Sequence, residues 1–150
     1  MEEEFSKWAK WLERDQLSRL KWPGVYVLAI SGRDISGEVF EWFEDITYIG
    51  MTNAQGGLKG RLQQFDRTIG GKEGHGGACR FCHKHGDYKV LVRKLYVCVK
   101  PIECDVKSGL AKDFRRMGEV AKLEYDCFAE YVQRFGGLPE FNDKMRSPKR

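Results

Sequence analysis

Two short apolar runs and the helix that follows them constrain this chain more than any other stretch. The first run is Gly24-Val25-Tyr26-Val27-Leu28-Ala29-Ile30 and the second Ile46-Thr47-Tyr48-Ile49-Gly50-Met51. Both are rich in β-branched and aromatic residues and bounded by turn residues, which predicts a pair of strands. Each is apolar at successive positions, the pattern of a strand covered on both faces. Alternation places Tyr26 with Leu28 and Ile30 on one face, and Tyr48 with Ile46 and Gly50 on one face of the second strand. Residues 56–69 then carry Leu58, Leu62, Phe65 and Ile69 at helical spacing. At ~100° per residue Arg61 falls roughly 70° from the centre of that stripe and Lys59 roughly 90°, while Arg67 points nearly opposite. Arg61 is therefore the cation best placed to lean over the sheet edge.

The rest of the chain extends this α+β pattern. Residues 2–20 carry Phe5, Trp8, Trp11 and Leu12 behind an acidic start, which predicts an amphipathic N-terminal helix, assigned to residues 1–21 and packed on the core. Residues 31–45 form a long connector in which Val39-Phe40-Glu41-Trp42-Phe43 reads as the second arm of a lengthened hairpin. A glycine-rich loop spans residues 70–86, a third strand is expected over Tyr88–Val99 closed by Pro101, and a helix from about Lys107 to Phe135, broken at Gly118, stops at Gly136-Gly137. The expected core domain is residues 22–143, a small, mainly antiparallel three-stranded sheet flanked by helices. Residues 144–150 read as a basic, disordered tail.

On the last helix, Met117, Val120, Ala121, Leu123, Cys127, Phe128, Tyr131, Val132 and Phe135 make one broad apolar arc, and Glu124 falls at its middle. Glu119, Asp126 and Glu130 point away. A carboxylate on a buried face is costly unless a cation or a metal accompanies it. A structural ion pair, for instance with Arg61, answers that need as well as a metal does; buried ionisable groups also gather at functional sites.

Gly-Val-Tyr, then Tyr-Ile-Gly with Met-Thr-Asn, then Leu-Lys-Gly-Arg-Leu resembles the catalytic core of the GIY-YIG nucleases, over roughly residues 22–142. The resemblance implies cleavage of DNA phosphodiester bonds with Mg²⁺ or Mn²⁺. It assigns water activation to Tyr26, phosphate positioning to Tyr48, charge neutralisation to Arg61 and the metal to Glu124, with Gly50 as a close-approach position and Asn142 as the closing asparagine. Such a reaction needs a nucleophilic water, neutralised phosphate charge and a stabilised leaving oxygen. One carboxylate with waters and phosphate oxygens holds Mg²⁺, and a guanidinium fork fits phosphate better than an ammonium does. Read from patterning alone, both tyrosines are equally strand aromatics filling a sheet face. The family often carries a histidine one turn after the arginine; this chain has Phe65 there, and His75 is a candidate to supply an imidazole from the loop instead.

Cys79-Arg-Phe-Cys82-His83-Lys-His85 has ligand spacing for a tetrahedral Zn²⁺, but with no second Cys-x-x-Cys pair reduced, unligated cysteines are the favoured reading and zinc the alternative. Five cysteines, no leader-like start and no apolar run near the ~20 residues of a membrane helix favour a cytoplasmic protein without a membrane partner. A net charge of +4 permits DNA as a partner, with Lys89, Arg93 and Lys94 expected along the third strand as backbone contacts. Two other functions share these features: a nucleic-acid-binding module of the same fold with little or no catalysis, and a zinc-stabilised interaction domain.

Overall fold

A computed structural model describes residues 4–70 and 88–142. The elements are β1 (Ala9–Lys10), a 3-10 helix (Trp11–Gln16), β2 (Gly24–Ile30), β3 (Ile46–Thr52), α1 (Gly57–Ile69), the single turn α2 (Tyr88–Leu91), β4 (Leu95–Pro101), α3 (Ala111–Phe135) and a 3-10 turn (Glu140–Asn142). The α+β class is as expected, but the sheet has four strands, in the order β1-β4-β2-β3 with every pairing antiparallel. Central β2 is buried along its length except at Ile30, which explains its unbroken apolar run.

The fourth strand comes from the segment expected to be a helix. Ala9 pairs with Val97 and Lys10 with Tyr96. Helical spacing would set Trp8 and Trp11 on one face, but Trp8 packs in the core on the α3 side of the sheet and Trp11 in the core on the α1 side. An extended chain on the sheet edge reaches both, and burying two indoles outweighs local helix propensity.

The third expected strand starts late for a similar reason. Leu91, Val92 and Leu95 all enter the α1-side core, while Val90 is exposed. Adjacent Leu91 and Val92 on one side demand a turn of helix, and β4 begins only at Leu95. The Val39–Phe43 arm forms no strand. Phe40, Trp42 and Phe43 all pack on the α3-side core, with Phe40 stacked 4.3 Å from Phe5 and edge-on 5.0 Å from Trp42. Ile46 likewise leaves the face of Tyr48, because a bulge shifts the β2–β3 register between Leu28 and Ala29.

The helix α1 buries Leu58, Leu62, Phe65 and Ile69 as expected. The helix α3 starts at Ala111, later than expected, because Asp113 Oδ1 accepts from the Asp105 amide at 3.0 Å and Oδ2 from the Ser108 hydroxyl, holding the preceding loop as a cap. It passes Gly118 unbroken: that glycine faces open space, where its cost is only about 1 kcal/mol. It ends on Gly136 at φ 84°, whose N–H donates to Val132 O at 2.8 Å. No helix among the described residues is long and apolar enough to cross a membrane.

Burial pushes the Cys127 thiol up to about 12, and the Cys98 thiol higher still. It also raises the Tyr26 phenol well above its ordinary value. Each group is therefore held protonated by the fold, and the unfolded chain releases its proton first. Stability is intact below about pH 9 and declines as pH rises through the ordinary thiol and phenol values toward the raised ones. Denaturant melts at stepped alkaline pH are expected to show that decline; a flat profile up to about pH 11 would contradict it.

Candidate active site

The site is built on the central strand. Tyr26 pairs with Gly50 across β2–β3, and the Tyr26 ring lies directly over that glycine. A Cβ at position 50 would stand 2.5 Å from Tyr26 Cζ and Oη, so Gly50 is the notch that lets the ring lie flat. The sequence suggested a close approach of backbone to substrate there; the close neighbour is a tyrosine of the same sheet.

Tyr48 lies diagonally across, paired with Leu28, with ring centroids 6.1 Å from Tyr26 and an interplanar angle of 42°. The two phenols are hydrogen-bonded to each other. Phe65 continues the aromatic row, 6.0 Å from Tyr48 and edge-on to Trp11 at 5.6 Å. It is fully buried, so no imidazole enters from this helical position.

Arg61 sits half-buried on α1 between the core residues Leu58 and Leu62. Glu124 arrives from the other direction. The helix α3 runs along edge strand β3, anchored where Asn53 Nδ2 donates to Met117 O at 3.1 Å and where Tyr131 Oη donates to Ile46 O at 3.3 Å. Those anchors are fourteen residues apart, about 21 Å of helix, and Glu124 lies midway, level with the Ile49–Gly50 part of the strand. The deep face of α3 is narrower than the expected arc: Val120, Cys127 and Tyr131 are buried, Glu124 is half-buried and Val132 is exposed.

The Tyr26 phenol registers this convergence. Burial is the largest cause of its raised pKa, followed by Tyr48, with Arg61 pulling the opposite way and Glu124 adding to the rise. Phenol, phenol, guanidinium and carboxylate thus share one electrostatic neighbourhood although they are spread over residues 26–124. The free protein keeps Tyr26 as a neutral phenol that can donate a hydrogen bond.

Asn142 has a role that patterning does not reveal. Its Oδ1 accepts from Ile49 N at 2.8 Å and its Nδ2 donates to Ile49 O at 2.9 Å, so one amide completes the outer hydrogen bonding of edge strand β3 between Tyr48 and Gly50. It positions the site rather than reaching into it. Asn142→Ala is expected to cost about 2 kcal/mol in denaturant unfolding, because it strips both bonds from the buried backbone N–H and C=O of Ile49. Asn142→Asp should cost more at neutral pH, since it sets a carboxylate against the Ile49 carbonyl. If both variants unfold at the wild-type midpoint, the clamp carries no weight.

Lys89, Arg93 and Lys94 are not along a strand. They occupy α2 and the turn after it, at the end of the sheet where Ile30 pairs with Leu95, about 13 Å along β2 from Tyr26. His75, Cys79, Cys82, His83 and His85, and the 144–150 tail, lie outside the described residues. Among the described residues no three His, Cys, Asp or Glu side chains gather into a metal cage, and Cys98, Cys104 and Cys127 are buried free thiols. Sequence reading also missed Asp66, which joins Trp11 Nε1 and the Tyr88 hydroxyl, both at 2.8 Å, to Arg14 at 3.6 Å. Its position on α1, one residue past Phe65, gave no signal, because all three partners are remote in sequence. Comparison of the chain with protein-family profiles, with curated proteins and with solved structures finds no match.

Proposed function

We propose that this protein is a metal-dependent endonuclease that hydrolyses DNA phosphodiester bonds in the manner of the GIY-YIG nucleases. The observation that supports the reading is that Tyr48, Arg61 and Glu124 all act electrostatically on the buried Tyr26 phenol. Those are the four residues that the motif resemblance singled out.

The donor set suits a hard divalent cation completed by substrate. Among the described residues Glu124 is the one carboxylate acting on Tyr26, and Mg²⁺ or Mn²⁺ held by one carboxylate takes its other oxygens from waters and phosphate. When bound, the ion neutralises phosphate charge and lowers the pKa of a coordinated water. Arg61 grips the phosphate and stabilises the charge that grows on it. Tyr48, half-buried, orients the phosphate through its hydroxyl. Tyr26 holds the attacking water by hydrogen bonding and can take its proton only as the phenolate, after added positive charge has offset the burial and the phenol's own proton has passed to solvent.

Two observations favour the alternative of a binding module without catalysis: Tyr26 has no exposed surface, and Phe65 stands where the resemblance implies an imidazole. Supercoiled plasmid separates the readings. The nuclease produces nicked circles with Mg²⁺ or Mn²⁺ and none with a chelator. Salt-sensitive DNA binding with no nicking under any divalent cation would overturn the nuclease reading in favour of the module.

A further inference from the structure

Beside Arg61, between the end of β3 and the first turns of α1, lies an open concavity of about 300 Å³. Its polar lining is Thr52, Arg61, Gln63, Gln64 and Arg67, its floor is largely glycine, and among the described residues no acidic side chain lines it. Arg67 is exposed and makes no hydrogen bond or salt bridge to another described residue. The first amides of α1 are already engaged: Gly57 N donates to Ala54 O, Leu58 N to Trp22 O, Lys59 N to Leu20 O and Gly60 N to Gly56 O. Attraction for an anion in this groove therefore comes from the two guanidinium groups and not from the helix terminus. Two cations around one concavity with no carboxylate of the described residues between them repel each other until an anion enters. They are six residues apart, about 9 Å along the helix axis, too far for both to grip one phosphate closely and suited to successive phosphates of a strand.

We propose that this groove is a second phosphate subsite, in which Arg67, with the Gln63 and Gln64 amides, holds the nucleic-acid backbone phosphate adjacent to the one gripped by Arg61. The assignment rests on the reading of Arg61 as a phosphate ligand. Arg67 is a positioning residue: it fixes the path of the strand across the site and takes no part in bond cleavage.

The test is equilibrium binding of a short DNA duplex in chelator, where nothing is cut. Arg67→Gln is expected to weaken binding about fivefold and to reduce the slope of log K against log salt by about 0.9. Gly60→Glu provides a second variant, because a side chain at position 60 meets nothing within 4 Å and a carboxylate there would repel the backbone. Lys107→Gln, an exposed cation on the loop before α3, should bind as wild type does. Wild-type affinity and salt slope in both groove variants would overturn the subsite even if the protein nicks plasmid. The same losses in a protein that nicks nothing would keep the subsite and discard the nuclease. Inorganic phosphate should compete no better than chloride at equal ionic strength; much stronger competition would make this a small-anion site and overturn the strand assignment.

Discussion

Glu124→Gln is expected to lower divalent-metal-dependent nicking of plasmid by about three orders of magnitude while leaving the thermal midpoint unchanged or slightly raised. The substitution keeps the shape and hydrogen-bonding reach of the side chain and removes only its charge. Since Glu124 is half-buried on α3 beside the apolar positions Val120 and Cys127, the neutral amide should be tolerated by the fold. A second readout needs neither metal nor DNA. Glu124 contributes to the raised pKa of Tyr26, so its neutralisation should shift phenolate formation to lower pH in a spectrophotometric titration. Nicking by Glu124→Gln at the wild-type rate would mean that the metal is held elsewhere. An unchanged phenolate titration would mean that the carboxylate does not act on the tyrosine.

Gly50→Ala is expected to destabilise the fold by about 3 kcal/mol and to abolish nicking with it. The added Cβ would stand 2.5 Å from the Tyr26 ring, which is fully buried in the α1-side core and cannot swing away without displacing Tyr48 or other core side chains. A double-mutant cycle with Tyr26→Ala isolates this clash: in that background the alanine at position 50 should cost about 1 kcal/mol or less. Equal penalties in both backgrounds would place the strain in the β3 backbone and not in the tyrosine.

This pairing shows where linear reading stops. Tyr26 and Gly50 are both conspicuous in the sequence, but their apposition depends on the β2–β3 register, which the long 31–45 connector does not fix by its length. The same holds for Ile46, which a bulge carries to the opposite face from Tyr48. Glu124 was found because a carboxylate among apolar helical positions is locally anomalous. Asn142 could be named from the motif resemblance, but its clamp on Ile49 bridges ninety-three positions and leaves no periodic trace.

Local patterning by itself determined the central strands, the apolar stripe of α1, the glycine stop of α3 and the anomalous position of Glu124, because each follows from side-chain spacing within a few turns or pleats. Only the tertiary structure decided the fate of the N-terminal segment, the late start of β4 and the gathering of Tyr26, Tyr48, Arg61 and Glu124. Those outcomes depend on which face of a shared sheet each large side chain can reach. The apolar area buried by placing Trp8 and Trp11 on opposite faces exceeds the small free energies by which a short segment prefers helix over extended chain.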